Sequence, residues 1–230
     1  MWNRQQVKEQ AKIIMKRNYW KMFVVTLIAS TLTGEKTTII ERVQDFASNN
    51  HSYDAQPIFY SSNFQYIFYS FISVASILGI LYTIFIGNVI VVGKNGYFIK
   101  NHDENPELSE IFKGFKGNYL NVVKIMFLMD LKTLLWLFLF IVPGLIKAYE
   151  YSMIPYLLAE NPNLSASQAF SLSKQMTTGQ KMDLFVLDLS FLGWIILGLI
   201  CCGIGILFVL PYPEATRAEV YLNLKESVEI

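Results

Sequence analysis

The sequence is poor in charged residues, and this scarcity restricts the class of protein. Asp, Glu, Lys and Arg make up 16% of the 230 residues, against about a quarter in an ordinary soluble domain. Hydrophobic residues make up 53%, and the mean hydropathy is +0.36. Such a chain is too apolar to be disordered, and a soluble single-domain enzyme is not expected. The net charge of +1 and the lack of a basic stripe exclude a nucleic-acid-binding protein.

Cysteine and histidine are also scarce, with two of each. Cys201 and Cys202 are adjacent, a spacing that rarely meets disulfide geometry, and we interpret them as small buried hydrophobic residues with acylation as the alternative. His51 and His102 lie in polar segments, so no His-based triad or metal site is expected in a membrane. No phosphate-binding or metalloprotease motif is present. We therefore predict a protein that is not an enzyme and holds no metal or cofactor.

Long apolar segments are what the sequence does contain. Residues Ala55–Gly93 include no Asp, Glu, Lys, Arg or His. A helix over Tyr66–Val92 would be about 40 Å long, which is enough to cross a bilayer with some tilt. The sequence therefore predicts an integral membrane protein.

The whole chain predicts an all-α fold, a polytopic transmembrane helical bundle with about six spans. Pro143-Gly144 indicates a turn between two spans, and Pro155 indicates a kink. The uncharged run Leu189–Pro213 leaves five spans open as an alternative, although Gly203 and Gly205 favour a turn within it. The six predicted spans are Tyr19–Thr33, Tyr66–Val92, Tyr119–Val142, Leu145–Ala159, Met182–Ile200 and Ile204–Leu224.

Three amphipathic helices are predicted at the cytoplasmic surface of the membrane, over Trp2–Arg17, Pro106–Gly114 and Ser165–Thr177. The last begins with a capping box, Ser165 and Gln168. The first carries basic residues that we predict to contact anionic headgroups, with packing on the protein itself as an alternative. These basic residues are Arg4, Lys8, Lys12, Lys16 and Arg17.

The distribution of Lys and Arg predicts the orientation in the membrane. Residues 1–21 hold six of them and residues 93–118 hold four, whereas the loop 34–65 holds two. Since cytoplasmic loops are enriched in Lys and Arg, the N-terminus is predicted to be cytoplasmic and the loop 34–65 external. The predicted location is a bacterial plasma membrane, with multiple passes.

A short pattern recurs three times, at Arg17-Asn18-Tyr19, Gly117-Asn118-Tyr119 and Gly179-Gln180-Lys181. Each copy places an amide side chain between an amphipathic helix and a span. The pattern suggests three parallel units of interfacial helix plus hairpin within a single membrane domain. The units are 1–92, 93–159 and 160–230.

Ionisable residues within predicted spans are costly, and they are the candidates for a functional site. Lys147 and Glu150 are three residues apart and can face each other on a helix. Asp130 and Asp188 are predicted to share one polar pocket with Lys147 or Arg217. Two interpretations stay open, a path for ions, protons or an anionic substrate, and a set of internal ion pairs, which we favour. The candidate polar pathway consists of Asp130, Lys147, Glu150, Asp188 and Arg217.

Four stretches of the sequence resemble the DUF975 family: Lys8–Trp20, Ile141–Met153, Leu187–Trp194 and Gly203–Tyr221. The resemblance extends over nearly the whole chain outside the loop 34–65. It implies an integral membrane protein, of a kind found mostly in Gram-positive bacteria, whose function is undefined. It implies no catalytic residues.

These observations lead to three functional hypotheses. The first is a non-enzymatic accessory or scaffold protein of the bacterial envelope, linked to an exporter or to peptide-toxin immunity. The second is a small transporter or channel with an acidic path through the membrane. The third and least favoured is an intramembrane enzyme acting on lipid, with Asp130 and Asp188 as its acid–base pair. Expected partners are membrane lipids and either a membrane protein or a second copy of the chain.

Overall fold

All regular secondary structure that the structure describes is helical, as the sequence predicts. The structure is a computed structural model, and it describes residues 4–33, 62–200 and 204–228. The predicted external loop 34–65 lies almost wholly outside the described residues, as do Cys201 and Cys202. The all-α fold class is therefore confirmed for the described part of the chain.

Within residues 62–200 and within residues 204–228, the helices follow one another with short connections. A π-helical turn, Thr83–Gly87, joins α2 to α3, and a 3₁₀ segment, Leu108–Phe115, precedes α4. The α-helices are α1 (Arg4–Thr33), α2 (Ser62–Tyr82), α3 (Asn88–Lys100), α4 (Tyr119–Leu139), α5 (Ile141–Tyr151), α6 (Ile154–Glu160), α7 (Ala166–Thr177), α8 (Lys181–Ile200), α9 (Ile204–Val209) and α10 (Pro211–Glu226).

One continuous helix of the described chain is long and apolar enough to cross a membrane. It runs over Tyr69–Lys100, 32 residues, and its most apolar stretch has a mean hydropathy of 2.2 with 22% of that stretch buried. Large apolar side chains along its first half, such as Ile77 and Leu78, are exposed. Length and composition therefore support one span, and the arrangement with six spans stays a prediction.

The predicted turn at Pro143-Gly144 is wrong in position. The helix break lies at Phe140, whose backbone is extended (φ −155°, ψ 135°), and both residues belong to the first turns of α5. Proline is compatible with a first helical turn because its missing N–H has no partner there in any case. Gly144 is required for packing, since a Cβ would lie 2.6 Å from the Cα of Leu137.

Three other local predictions can be compared with the structure. The kink at Pro155 is confirmed, because α5 ends at Tyr151 and α6 begins at Ile154. The capping box is confirmed, with the Gln168 N–H donating to Ser165 Oγ (3.3 Å) and the Ser165 N–H donating to Gln168 Oε1 (3.0 Å). The predicted amphipathic helix Pro106–Gly114 is a 3₁₀ segment instead.

The uncharged run Leu189–Pro213 does not form one continuous helix. Gly198 of α8 lies against the backbone of Gly205 and Ile206, where a Cβ on Gly198 would approach within 2.8 Å of the Ile206 nitrogen. Residues this far apart in sequence would be separated by about 12 Å along a straight helix. Gly198 and Ile206 therefore lie closer together than one continuous helix allows, which argues against a single span across this run.

The core joins the N-terminal helix to the C-terminal one. Val7, Ala11 and Ile14 form the buried face of α1 and share a hydrophobic cluster with Tyr97 of α3 and Tyr221 of α10. The first amphipathic helix thus packs on the protein itself, the alternative given for it above. Contact of its opposite face with lipid stays a prediction.

The three junctions of the recurring sequence pattern share a departure from helical geometry. Asn18 interrupts α1 (φ −133°, ψ 27°). Gly117 and Gly179 have positive φ angles of 100° and 79°, which glycine adopts without strain. Each junction thus lies at a break between two helical segments, and the division into three repeated units stays a prediction.

Candidate functional site

A bidentate ion pair joins α8 to α10. Arg217 donates from Nη2 to Asp188 Oδ2 (2.7 Å) and from Nε to Oδ1 (3.3 Å). Tyr149 of α5 donates its hydroxyl to the same Oδ2 (2.9 Å). The Asp188 carboxylate thus links α8 to both α5 and α10. Charge-assisted bidentate bonds, such as the one with Arg217, are among the strongest side-chain contacts.

This cluster forms the polar part of the wall of a small cavity of about 250 Å³. The rest of the wall is largely apolar and includes Leu145, Met153 and Leu184. Asp188 and Arg217 therefore lie together beside one pocket, as predicted. The pocket is large enough for a few water molecules or a small solute.

A second charged cluster is centred on Glu150 of α5. Lys147 donates to its Oε1 (2.7 Å) and Lys181 donates to its Oε2 (2.6 Å). The Glu150 side chain is 6% exposed. Its backbone carbonyl accepts a hydrogen bond from Ser173 Oγ (2.6 Å) on α7. The facing of Lys147 and Glu150 follows from their spacing, whereas nothing in the sequence points to Lys181.

Asp130 does not share the pocket of Asp188, and this prediction is wrong. Asp130 accepts a hydrogen bond from Asn88 Nδ2 (2.7 Å) and does not line that cavity. The helical pattern of α4 does not specify which neighbouring helix a side chain meets. The structure therefore brings the predicted polar residues together in separate clusters, each with its own partner.

Two further buried charged residues were not predicted from the sequence to belong to a site. Lys94 lies near the end of the candidate span, where its side chain is 5% exposed and donates to Glu214 (2.8 Å). Glu219 on α10 is buried and makes a hydrogen bond with His102 Nδ1 (2.9 Å). The one signal in the sequence for Lys94 is its position directly after the longest uncharged run, Ala55–Gly93. Both pairs hold α10 against the region around the end of α3.

The predicted membrane-surface residues have several different surroundings. Lys8 donates to Ser190 (2.7 Å), and Arg4 lies 3.7 Å from Asp183, so both face α8. Arg17 donates to the carbonyl oxygens of Asn101, His102 and Glu104 at distances of 2.7, 3.1 and 3.4 Å, and thus caps the C-terminal end of α3. Lys12 and Lys16 are exposed, and Lys12 pairs with Glu9 of its own helix.

The clusters show no arrangement for metal binding in the described ranges. Among those residues, no three His, Cys, Asp or Glu side chains are close enough together to hold a metal ion. Chemically, the clusters can neutralise charge and tie helices together. The Asp188 cluster can in addition present a polar wall to a small solute.

The comparisons with known proteins give one family match, over part of the chain, and no activity. No curated protein and no solved structure matches the chain significantly. The family model that matches is described as Protein of unknown function (DUF975), and it covers residues 137–228, the part that holds the Glu150 and Asp188 clusters. This match supports the resemblance seen in the sequence and limits it to residues 137–228, where the chain is similar to the DUF975 family.

Proposed function

We propose that the protein is a non-enzymatic, multi-pass protein of the bacterial plasma membrane with an accessory or scaffold role beside another membrane protein. The observation that carries the proposal is the pairing of its internal charges. Asp188 is bound to Arg217 and Tyr149, Glu150 to two lysines, and Asp130 to Asn88. Each of these charges has a partner within the protein, as the interpretation as internal ion pairs requires.

The distribution of apolar surface supports the membrane location. Besides the helix Tyr69–Lys100, the end of α4 and the start of α5 expose large apolar side chains, with Phe138 82% exposed. Ile141 and Val142 next to it are also exposed. Contiguous apolar surface of this kind marks contact with a membrane or with another protein.

A small transporter is the second candidate function, and the Asp188 cavity is the observation that favours it. A solute path would use Asp188 and Arg217 as its polar lining. The cavity holds about 250 Å³, which limits the solute to a small molecule or ion. The lipid-acting enzyme loses support, because its acid–base pair required Asp130 beside Asp188.

Purification of the full-length protein from its native host in a mild detergent, followed by quantitative mass spectrometry, tests the proposal. We expect a membrane protein partner, such as an exporter subunit, to copurify in stoichiometric amount. The control is the same purification with an unrelated membrane protein of similar abundance. The proposal is wrong if the protein purifies alone and, in proteoliposomes, moves a solute at a rate that Asp188→Asn abolishes without unfolding it.

A further inference from the structure

A second and larger cavity lies at the polar end of the candidate span, away from the Asp188 cluster. It encloses about 600 Å³ between α3, the 3₁₀ segment, the end of α6 and α10. We call it the lysine cavity. Its ionisable lining residues are Lys100, Glu110, Lys113, Lys116, Glu160 and Lys225.

The charges around the lysine cavity do not balance. Four lysines face two glutamates, which leaves a formal excess of two positive charges. Glu110 already accepts from Lys100 (3.1 Å) and Lys113 (3.1 Å), and Glu160 accepts from Lys225 (2.7 Å). Lys116 is exposed and makes no ion pair with a described residue. The cavity therefore offers ammonium groups that an added anion would neutralise.

The side chain of Glu110 is an ionised carboxylate at neutral pH, so its negative charge is already counted in the charge balance of the lysine cavity. Burial raises the pKa of Glu110, but the hydrogen bonds from Lys100 and Lys113 outweigh this effect, so that its pKa lies below the ordinary value. The positive excess is thus present under physiological conditions.

The remaining wall of the lysine cavity is apolar. It includes Val92 and Ile99 of α3 and Leu158 of α6. An anion with an apolar tail matches this combination better than a fully hydrated ion does, because the wall gains from covering by hydrocarbon. Lys100 is the last residue of the candidate span, where a bilayer would place its headgroups.

We propose that the lysine cavity binds one anionic phospholipid, with the phosphate of its headgroup among the lysines and the start of its acyl chains along α3 and α6. Basic pockets at the cytoplasmic ends of membrane helices recognise anionic headgroups through the same chemistry. The inference rests on the proposed membrane location and adds a specific ligand class to it.

Titration of purified full-length protein with phosphatidylglycerol or phosphatidylcholine, with bound lipid counted by native mass spectrometry, tests the inference. We expect one tightly bound phosphatidylglycerol and no comparable site for phosphatidylcholine. The double variant Lys113→Gln/Lys116→Gln should bind phosphatidylglycerol about 30-fold more weakly, since each lysine near a membrane surface contributes measurably to the binding of anionic lipid. The matched control is Lys124→Gln/Lys174→Gln, two exposed lysines that do not line the cavity.

Substitutions of Gly96 test the role of the cavity's volume without changing its charge. Gly96 lines the lysine cavity, and a Cβ there would meet only the Ala159 Cβ, at 3.4 Å. Gly96→Leu should fill part of the cavity and weaken lipid binding, while Gly96→Ala should bind lipid like the native protein. Circular dichroism and the elution volume in gel filtration verify that each variant is folded.

Three outcomes would overturn the inference. The first is equal affinity of the protein for the two lipids. The second is an equal loss of phosphatidylglycerol affinity in the Lys124/Lys174 control variant. The third is displacement of the lipid by inorganic phosphate at similar concentration, which would indicate a soluble phosphate ligand. If the protein fractionates with membranes in any of these cases, the lipid site alone fails. If it fractionates with the soluble proteins, the proposed membrane function fails as well.

Discussion

The variant Gly93→Ala is expected to lose about 3 kcal/mol of unfolding free energy, the upper end of the usual cost of overpacking, because the clash is with rigid backbone. A Cβ on Gly93 would overlap the carbonyl oxygen of Ile111 and lie 2.6 Å from its carbonyl carbon. Since both groups belong to the main chain, no side-chain rotation relieves the overlap. The 3₁₀ segment would have to move away from α3, uncovering Ile111, which is fully buried.

Gly96→Ala provides the matched control, one helical turn away on α3. Its Cβ meets only an ordinary contact with Ala159, and alanine is a better helix former than glycine by about 1 kcal/mol. We expect the control to unfold at or slightly above the temperature of the native protein. Thermal unfolding in detergent, followed by circular dichroism, measures both variants. Equal stability of the two variants would show that the 3₁₀ segment is not docked on Gly93 as described.

The second large effect is expected for Glu150→Gln, which should destabilise the protein by about 3 kcal/mol, as the removal of one partner from a buried ion pair does. The substitution preserves shape but leaves the ammonium groups of Lys147 and Lys181 without their carboxylate. Those two lysines are about a quarter exposed, which keeps the expected cost toward the lower end of the range for such pairs.

Glu9→Gln is the control for Glu150→Gln, because it also removes one carboxylate from a lysine pair. The Glu9–Lys12 pair is a surface pair, with the Glu9 side chain 61% exposed, and such pairs contribute little to stability. Both variants are compared by the same unfolding measurement. If Glu150→Gln costs no more than Glu9→Gln, the Glu150 cluster does not stabilise the fold, and its role as a polar path gains support.

Features that depend on neighbouring residues in the chain could be predicted from the sequence. The capping box at Ser165 and the break before Pro155 depend on a few consecutive residues, and the structure has both. The pairing of Lys147 with Glu150 follows from one turn of helix. The prediction of a turn at Pro143-Gly144 is wrong because proline fits the first turn of a helix as well as it fits a loop.

Contacts between distant parts of the chain could not be predicted in the same way. Asn88 and Asp130 are 42 positions apart, and their meeting depends on how α3 and α4 rotate about their axes. Apolar helices with hydrophobic residues on all sides give no periodic signal for that rotation. The pairing of Asp188 with Arg217 was predictable only as one of several combinations. The capping of α3 by Arg17 is likewise not predictable from the sequence, because it depends on carbonyl groups of the main chain.

The most direct test of the central claim, a multi-pass membrane protein with its basic end in the cytoplasm, is the labelling of single cysteines in intact cells. In a background without native cysteines, Asp103→Cys and Asn163→Cys probe exposed positions after α3 and α6, and Asn49→Cys probes the predicted external loop. The account predicts that a membrane-impermeant thiol reagent labels only the cysteine at position 49 until the cells are permeabilised. Labelling of the cysteine at position 103 or 163 in intact cells, or recovery of the protein in the soluble fraction, would contradict it.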